Sequence, residues 1–399
     1  MKYLKLFENH AEYEAYKNSQ DYLTPNVSYC VDLNEVHFEK YVRDYSKEYL
    51  TFEALEDGNF TFTMDSKLGV NVVPYMSYSI DNGDTWVTVN NVDNETVTIT
   101  TPEISEGGIV LWKSESVQFC TNTDPYPGGN IGYGRFSSTG EFNVSGNIMS
   151  LMYGDEFIGK TQLKELITTG YFTGSFYSIL SSCSVVSASN LVLPVTTLVQ
   201  FCYANMFGGC TSLITAPELP ATTLANNCYS SMFGGCTSLI TAPELPATTL
   251  ANNCYSSMFS GCTSLTTAPE LPATILANNC YSFMFQNCTS LTTAPELSVM
   301  TLADSCYSNM FSGCTSLTTA PELPATTLES SCYSNMFNGC ANLNYIKAMF
   351  TTTPSSTYTS NWVSGVSSTG TFVKNSAATW GAFGSDAVPM GWTVQTASA

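Results

Sequence analysis

Twelve of the fifteen cysteines keep a fixed beat: Cys202, Cys210, Cys228, Cys236, Cys254, Cys262, Cys280, Cys288, Cys306, Cys314, Cys332 and Cys340. Within a pair such as Cys228 and Cys236 the residues lie 8 apart, and the pair returns after 26. Thiols spaced this way can cross-link, hold a metal or pack. Zinc sites favour shorter C-x2–4-C spacings with a second such pair or histidines. The only histidines, His10 and His37, lie far from the cysteine-bearing stretch. Disulfides belong mainly to secreted chains. One residue type at one repeat position points first to packing, because a free Cys behaves as a small buried apolar group. The expectation is a column of buried thiols, with no metal and no cofactor.

A carboxylate follows the same beat at Glu218, Glu244, Glu270, Glu296 and Glu322. Like charges stacked one per unit repel. The column therefore reads either as a solvated edge or as a ligand-facing surface for cations or a basic partner, and these five are the candidate ligand-facing residues. One unit departs from the others at Phe283, Gln286, Asn287, Ser298, Val299 and Met300. Sequence drift and a tuned contact patch both account for it.

Nothing in the chain assembles a nucleophile with a base and an acid. Two histidines make a Ser–His or Cys–His arrangement a poor fit, and no phosphate-cradling Gly loop precedes a Lys. No catalytic residue is assigned, and the chain reads as non-enzymatic. Ser79-Ile80-Asp81-Asn82-Gly83-Asp84-Thr85-Trp86 matches the S-x-D-x-G-x-T-W box seen repeatedly in sialidases. That box is a structural turn with the Trp packed beneath it. A lone copy is the sole support for a glycan-cleaving alternative.

The formal net charge is −20, and no Lys or Arg stands between Lys164 and Lys347. Binding a phosphate backbone needs clustered cations, so nucleic acid is excluded as a partner, and an anionic membrane surface is disfavoured for the same reason. No apolar run approaches the ~18 residues of a membrane span. The opening MKYLKLFENHAEYEAYK lacks the apolar core of a secretory signal, being interrupted by Glu8, Glu12 and Glu14. The chain is expected to be made in a cytoplasm, with no membrane insertion.

These residues must be positioned by something that repeats. Met206-Phe207, Met232-Phe233, Met258-Phe259, Met284-Phe285, Met310-Phe311 and Met336-Phe337 recur every 26 residues, after a weaker copy with Ile179, Leu180 and Cys183. A propeller blade needs four strands and about 40 residues, so a unit this short predicts a solenoid. Each unit has room for a short strand, Leu-Thr-Thr-Ala-Pro-Glu-Leu, and a short helix, NNCYSSMFSGC, capped by Asn226 or Asn227 and ended by Gly234-Gly235. Spacings of 4, 5 and 8 from Cys228 put Cys228, Met232 and Cys236 on one helical stripe. Cys228, Met232, Phe233, Cys236, Leu239 and Leu245 are the expected core ladder. Pro217, Pro243, Pro269, Pro295 and Pro321 remove ladder donors, so the strands should be very short or bulged.

The predicted fold is α+β: a leucine-rich repeat solenoid, one strand and one helix per turn, preceded by a β-sandwich-like domain. Residues 1–47 form an N-terminal anchoring unit with a helix over HAEYEAYKNS and a hairpin over PNVSYCVDLNEVHF turning at Asp32-Leu33-Asn34. Residues 48–147 carry alternating segments YLTFEAL, NFTFTM, YMSYSI, TWVTV, ETVTIT, IVLWKS and EFNVSG, with TNTDPYPGGNIGYG as a loop. Residues 148–350 hold the solenoid and its N-terminal cap. Residues 351–399, punctuated by Trp362, Phe372, Trp380 and Trp392, form a C-terminal cap.

The unit CTSLTTAPELPATTLANNCYSSMF resembles the BspA-like (Treponema-type) leucine-rich repeats, which carry an aromatic, then Gly-Cys-x-x-Leu, then a strand ending in Pro. The matching positions are Phe233, Cys236, Leu239, Leu245 and Pro246 and their equivalents over residues 175–350, in a unit three residues longer than the family's. The stretch KLFENHAEYEAYKNSQDYLTPNVSYCVDLNEVHF is similar to the leader on proteins of crAss-like phages of gut Bacteroides. That resemblance implies a virion structural protein, a fibre or surface-decoration component. Its N-terminal unit would dock on other virion proteins, and its solenoid would bind a host-surface glycan or protein. Its place would be the virion surface, and a trimer is the homo-oligomer a fibre would form. The alternative is a BspA-like adhesin on a bacterial cell surface.

Overall fold

The structure is a computed structural model that describes residues 3–7, 27–31, 44–68, 71–122, 131–165 and 174–397. Among these the chain is mostly strand and turn, arranged in several sheets, with very little helix. The one α-helical segment is Ser150–Tyr153, joined by 3-10 turns at Tyr45–Lys47 and Gly154–Glu156. Strands β1 (Tyr3–Phe7) and β2 (Val27–Val31) pair in parallel. The first arm expected of the hairpin is thus a strand whose partner is β1. The helix over 10–19 and the second arm of the hairpin lie outside the described residues.

All seven alternating segments form strands: β3 (Leu50–Ala54), β4 (Phe60–Met64), β5 (Tyr75–Ser79), β6 (Val87–Asn90), β7 (Val97–Thr100), β8 (Ile109–Lys113) and β11 (Phe142–Asn147). Three further strands carry no such alternation: β9 (Cys120–Asn122), β10 (Ile131–Ser138) and β12 (Val185–Val192). β10 starts inside the stretch expected to be a loop. A Cβ on Gly134 would stand 2.9 Å from the ring of Phe119 and 3.0 Å from that of Phe62. Glycine there permits close packing and at the same time erases the apolar signal of a strand.

One sheet runs β7-β4-β10-β9 and another β12-β11-β3-β8-β5-β6. Their facing sides meet through aromatic rings. Phe136 of β10 lies 4.8 Å from Phe52 of β3 and 4.9 Å from Trp112 of β8, both edge-on. Such contacts add roughly 0.5–1.5 kcal/mol each beyond area burial.

β12 carries the second sheet into the repeats. It pairs in parallel with β11, and Ser187 bridges in parallel to Thr215. The same position bridges onward, Thr215 to Thr241, Thr241 to Thr267 and Thr267 to Thr293. Thr319 then bridges to Tyr345 at the start of β13 (Tyr345–Ala348), which pairs in parallel with β14 (Thr371–Lys374), itself paired with β15 (Thr393–Thr396). Inside the repeats the ladder is one residue wide. The N–H of Ala268 donates to Thr293 O, but Pro269 follows and has no N–H to continue it.

The helix expected over NNCYSSMFSGC does not form; the segment is a run of tight turns. Asn227, Ser231 and Gly235 hold φ of 57°, 55° and 76°. A left-handed residue at every fourth position breaks any right-handed helix. The N–H groups divide their bonds instead. Those of Cys228, Ser230, Met232, Gly234 and Cys236 donate three residues back within the turns, at 2.9–3.2 Å. Those of Asn227, Tyr229, Ser231, Phe233 and Gly235 donate to Asn252, Cys254, Ser256, Met258 and Ser260 of the next unit, at 2.7–3.0 Å. Every backbone donor from Asn227 to Cys236 is satisfied, half of them by the neighbouring unit. The resulting period is four residues, two inward and two outward, so Cys228, Tyr229, Met232, Phe233 and Cys236 are buried.

Side chains stack in register. Phe207, Phe233, Phe259, Phe285, Phe311 and Phe337 form a row with ring centroids 5.6–5.8 Å apart. A second row runs Phe119, Phe176, Tyr203, Tyr229, Tyr255, Tyr281, Tyr307 and Tyr333. It begins in the first sheet's core and ends against Phe350 and Trp362. Residues 357–365 are one more unit: Asn361 and Gly365 repeat the left-handed positions, and Phe337 donates to Trp362 O at 2.8 Å. Its own outward donors find substitutes. Asn361 N–H donates to the Asp386 carboxylate at 2.7 Å and Val363 N–H to Ser385 O at 3.2 Å.

Candidate binding face

The Pro-Glu-Leu segment of each unit alternates direction. Leu219, Leu245, Leu271, Leu297 and Leu323 are buried, while Glu218, Glu244, Glu270, Glu296 and Glu322 are exposed. The fixed φ of proline and the inward Leu hold each Glu backbone at the same place in its unit. The five form one column on one face: threonine bridges hold the register from Thr215 to Thr293, and the bond from Phe285 N–H to Met310 O carries it into the fifth unit. Lys347 closes it: its Nζ lies 2.9 Å from Glu322 Oε1 and also bonds Oε2. A third-exposed Lys and a half-exposed Glu make a pair of modest strength.

Two clefts open on this face. One, of about 220 Å³, is lined by Tyr45, Ser189, Asn190, Leu191, Val192, Leu193, Pro194, Glu218 and Pro220. The other, of about 360 Å³, lies between the fourth and fifth units, lined by Ala294, Pro295, Glu296, Leu297, Ser298, Pro321, Glu322 and Pro324. The second coincides with the unit that departs from the consensus. Of the other departures, Phe283 is 36% and Met300 54% exposed.

The expected core ladder is buried throughout: Cys228, Met232, Phe233, Cys236 and Leu239 are fully enclosed and Leu245 nearly so. The cysteines make two columns with different partners. In one, Cys210, Cys236, Cys262, Cys288, Cys314 and Cys340 each place Sγ 3.0–3.1 Å from a carbonyl of the preceding unit, as Cys236 does with Phe207 O. Cys183 does the same to Phe136 O of β10, at 3.2 Å. The thiol here is a small buried donor as well as a filler. In the other column Cys228 and its equivalents adjoin the tyrosine row. Cys183 and the twelve repeat cysteines are all free thiols. Burial pushes the thiols of Cys210, Cys228, Cys280, Cys288 and Cys340 up to about 12. A thiol held neutral at physiological pH is a poor nucleophile and a poor metal ligand. No group of three or more His, Cys, Asp or Glu suited to a metal occurs among the described residues.

The box at residues 79–86 is a self-contained turn. Asp81 accepts from the Ser79 hydroxyl at 2.7 Å, the Thr85 N–H at 2.9 Å and the Thr85 hydroxyl. These bonds, led by the Thr85 hydroxyl, hold its carboxyl down at about 2. Trp86 Nε1 donates to Gly83 O, and Lys113 Nζ lies 4.0 Å over the Trp86 ring while pairing with Asp155 at 2.7 Å. With its acceptors engaged inside the turn, Asp81 is a structural group.

Sequence reasoning missed the buried tyrosine row, the closing pair at Lys347 and both clefts. The invariant Tyr after the first Cys of each unit carried the first signal; the other two needed the stack. No helix among the described residues is long and apolar enough to cross a membrane. No family model, no curated protein and no solved structure matches this chain.

Proposed function

We propose that this chain is a phage virion structural protein, a fibre or surface-decoration component, that displays a solenoid of BspA-like leucine-rich repeat type to a host-surface glycan or protein. In this reading the N-terminal unit docks on other virion proteins and the β-sandwich-like domain acts as spacer. The observation that supports it is a repeated face: each unit exposes a carboxylate at the same position, on a backbone bonded unit to unit. Identical groups on a repeated lattice favour multivalent capture, where several weak contacts combine. The acidic balance favours a basic or cation-bridged target.

Two experiments test it. Mass spectrometry of purified particles should find the chain as a virion component; recovery only from a bacterial surface fraction would replace this reading with the adhesin. In attachment assays on candidate gut bacteria, the full chain with Glu244→Gln, Glu270→Gln and Glu296→Gln together should bind about tenfold more weakly, the scale of losing charge-assisted contacts. Unchanged attachment would remove the carboxylate column from the reading.

A further inference from the structure

The geometry points to the cleft between the fourth and fifth units as the selective point of the face, and to a lysine side chain on an extended protein segment as its occupant. The inference rests on the display reading above and sharpens it.

One proline column runs Pro194, Pro220, Pro246, Pro272 and Pro324, and Ser298 interrupts it. The cleft of about 360 Å³ lies at that interruption. A serine gives up the volume of the pyrrolidine ring and adds a hydroxyl. The walls are then apolar, from Pro295, Leu297, Pro321 and Pro324, with carboxylates from Glu296 and Glu322. Glu322 is offset by Lys347. Glu296 has no cationic partner among the described residues, and the sequence has no Lys or Arg between Lys164 and Lys347. The cleft therefore keeps an uncompensated negative charge beside apolar walls.

That combination matches a methylene stem ending in an ammonium, which buries its stem and keeps its charge paired. A bare metal ion would need more donors than the described residues bring together. A sugar ring would find no flat aromatic face, since no aromatic residue lines the cleft. Spacing separates the roles of column and cleft. Stacked units repeat about every 4.8 Å, whereas same-side residues of an extended segment lie roughly 6.6–6.8 Å apart. A peptide cannot match every carboxylate, so the column steers by long-range charge and the cleft selects one lysine.

The test uses the full chain and a fluorescein-labelled peptide of lysines among glycines and prolines, followed by anisotropy at low salt. A twin peptide with acetylated lysines is the ligand control. Ser298→Pro fills the cleft with the residue that the other units already accept. Ser298→Pro and Glu296→Gln should each weaken binding about tenfold, while Glu103→Gln, an equal charge change on the first domain, should leave it unchanged. Binding of the acetylated twin, no binding of the lysine peptide, equal loss with Glu103→Gln, or no loss with Ser298→Pro would each overturn the assignment. If attachment to cells survives while the peptide result fails, only the lysine assignment falls. If the peptide binds as stated but cells are not attached, the display reading falls alone.

Discussion

At the scale of single residues, the cysteines show how one side chain can answer two demands. Column positions such as Cys236 need a group small enough for a fully enclosed site, yet the carbonyl of Phe207 beside it is open to a second donor. A thiol supplies both. The cost of enclosure is a dependence on the neutral form. In the unfolded chain these thiols ionise near the ordinary 9.0, and in the folded chain, for Cys210, Cys228, Cys280, Cys288 and Cys340, near 12. Between those values the unfolded chain holds fewer protons than the folded one. Stability is therefore full below the lower value and falls as pH rises through the window. Each thiol contributes up to about 1.4 kcal/mol per pH unit there. The urea midpoint should be flat to about pH 8.5 and drop steeply by about pH 10.5. A midpoint unchanged across that interval would show the thiols to be open to water in the folded chain.

At the scale of elements, the turn run from Asn227 to Cys236 is built on left-handed backbone at fixed positions. Asn, Ser and Gly occupy these sites in most units, and Asn and Gly tolerate that conformation best. Phe283 is an exception, with φ of 59° and a third of its side chain exposed. A bulky residue there carries strain of roughly 1–2 kcal/mol and returns little burial. Phe283→Asn, which restores the residue found at Asn309 and Asn335, should raise the unfolding free energy by about 1 kcal/mol in a urea titration. A lower value would mean that the exposed ring packs more tightly than its accessibility implies. This element also shows why a helix was expected. Apolar residues at spacings of 4 and 8 fit a 3.6-residue stripe almost as well as a four-residue turn period, and only the hydrogen bonds between units separate the two.

At the scale of the whole molecule, half of the turn donors look to the next unit, so each unit is stabilised chiefly by its neighbours. Stability then sums over units and interfaces, and the ends must be closed. The first end is closed by β10, β11 and Phe119, the last by Trp362, Asp386 and the sheet of β13, β14 and β15. Deleting residues 237–262 removes one full period and rejoins Cys236 to Thr263 in register. The shortened chain should fold, keep its circular dichroism spectrum and show a smaller denaturant slope, since less surface is exposed on unfolding. Failure to fold would mean that the units are not interchangeable.

The sequence by itself determined the 26-residue period, the seven alternating strands between residues 48 and 147, the inward Cys, Met, Phe and Leu, and the outward Glu column. Each is written in local periodicity, which a side chain's polarity reports directly. Tertiary structure decided that the Cys-Tyr-Met-Phe segment runs as turns and not helix, that β10 and β12 are strands, that residues 357–365 are one more unit, and that Ser298 borders a cleft. Those features depend on where a backbone donor finds its acceptor and on what a glycine or a missing proline leaves open. Both are properties of the neighbouring unit, so no window of one unit contains them.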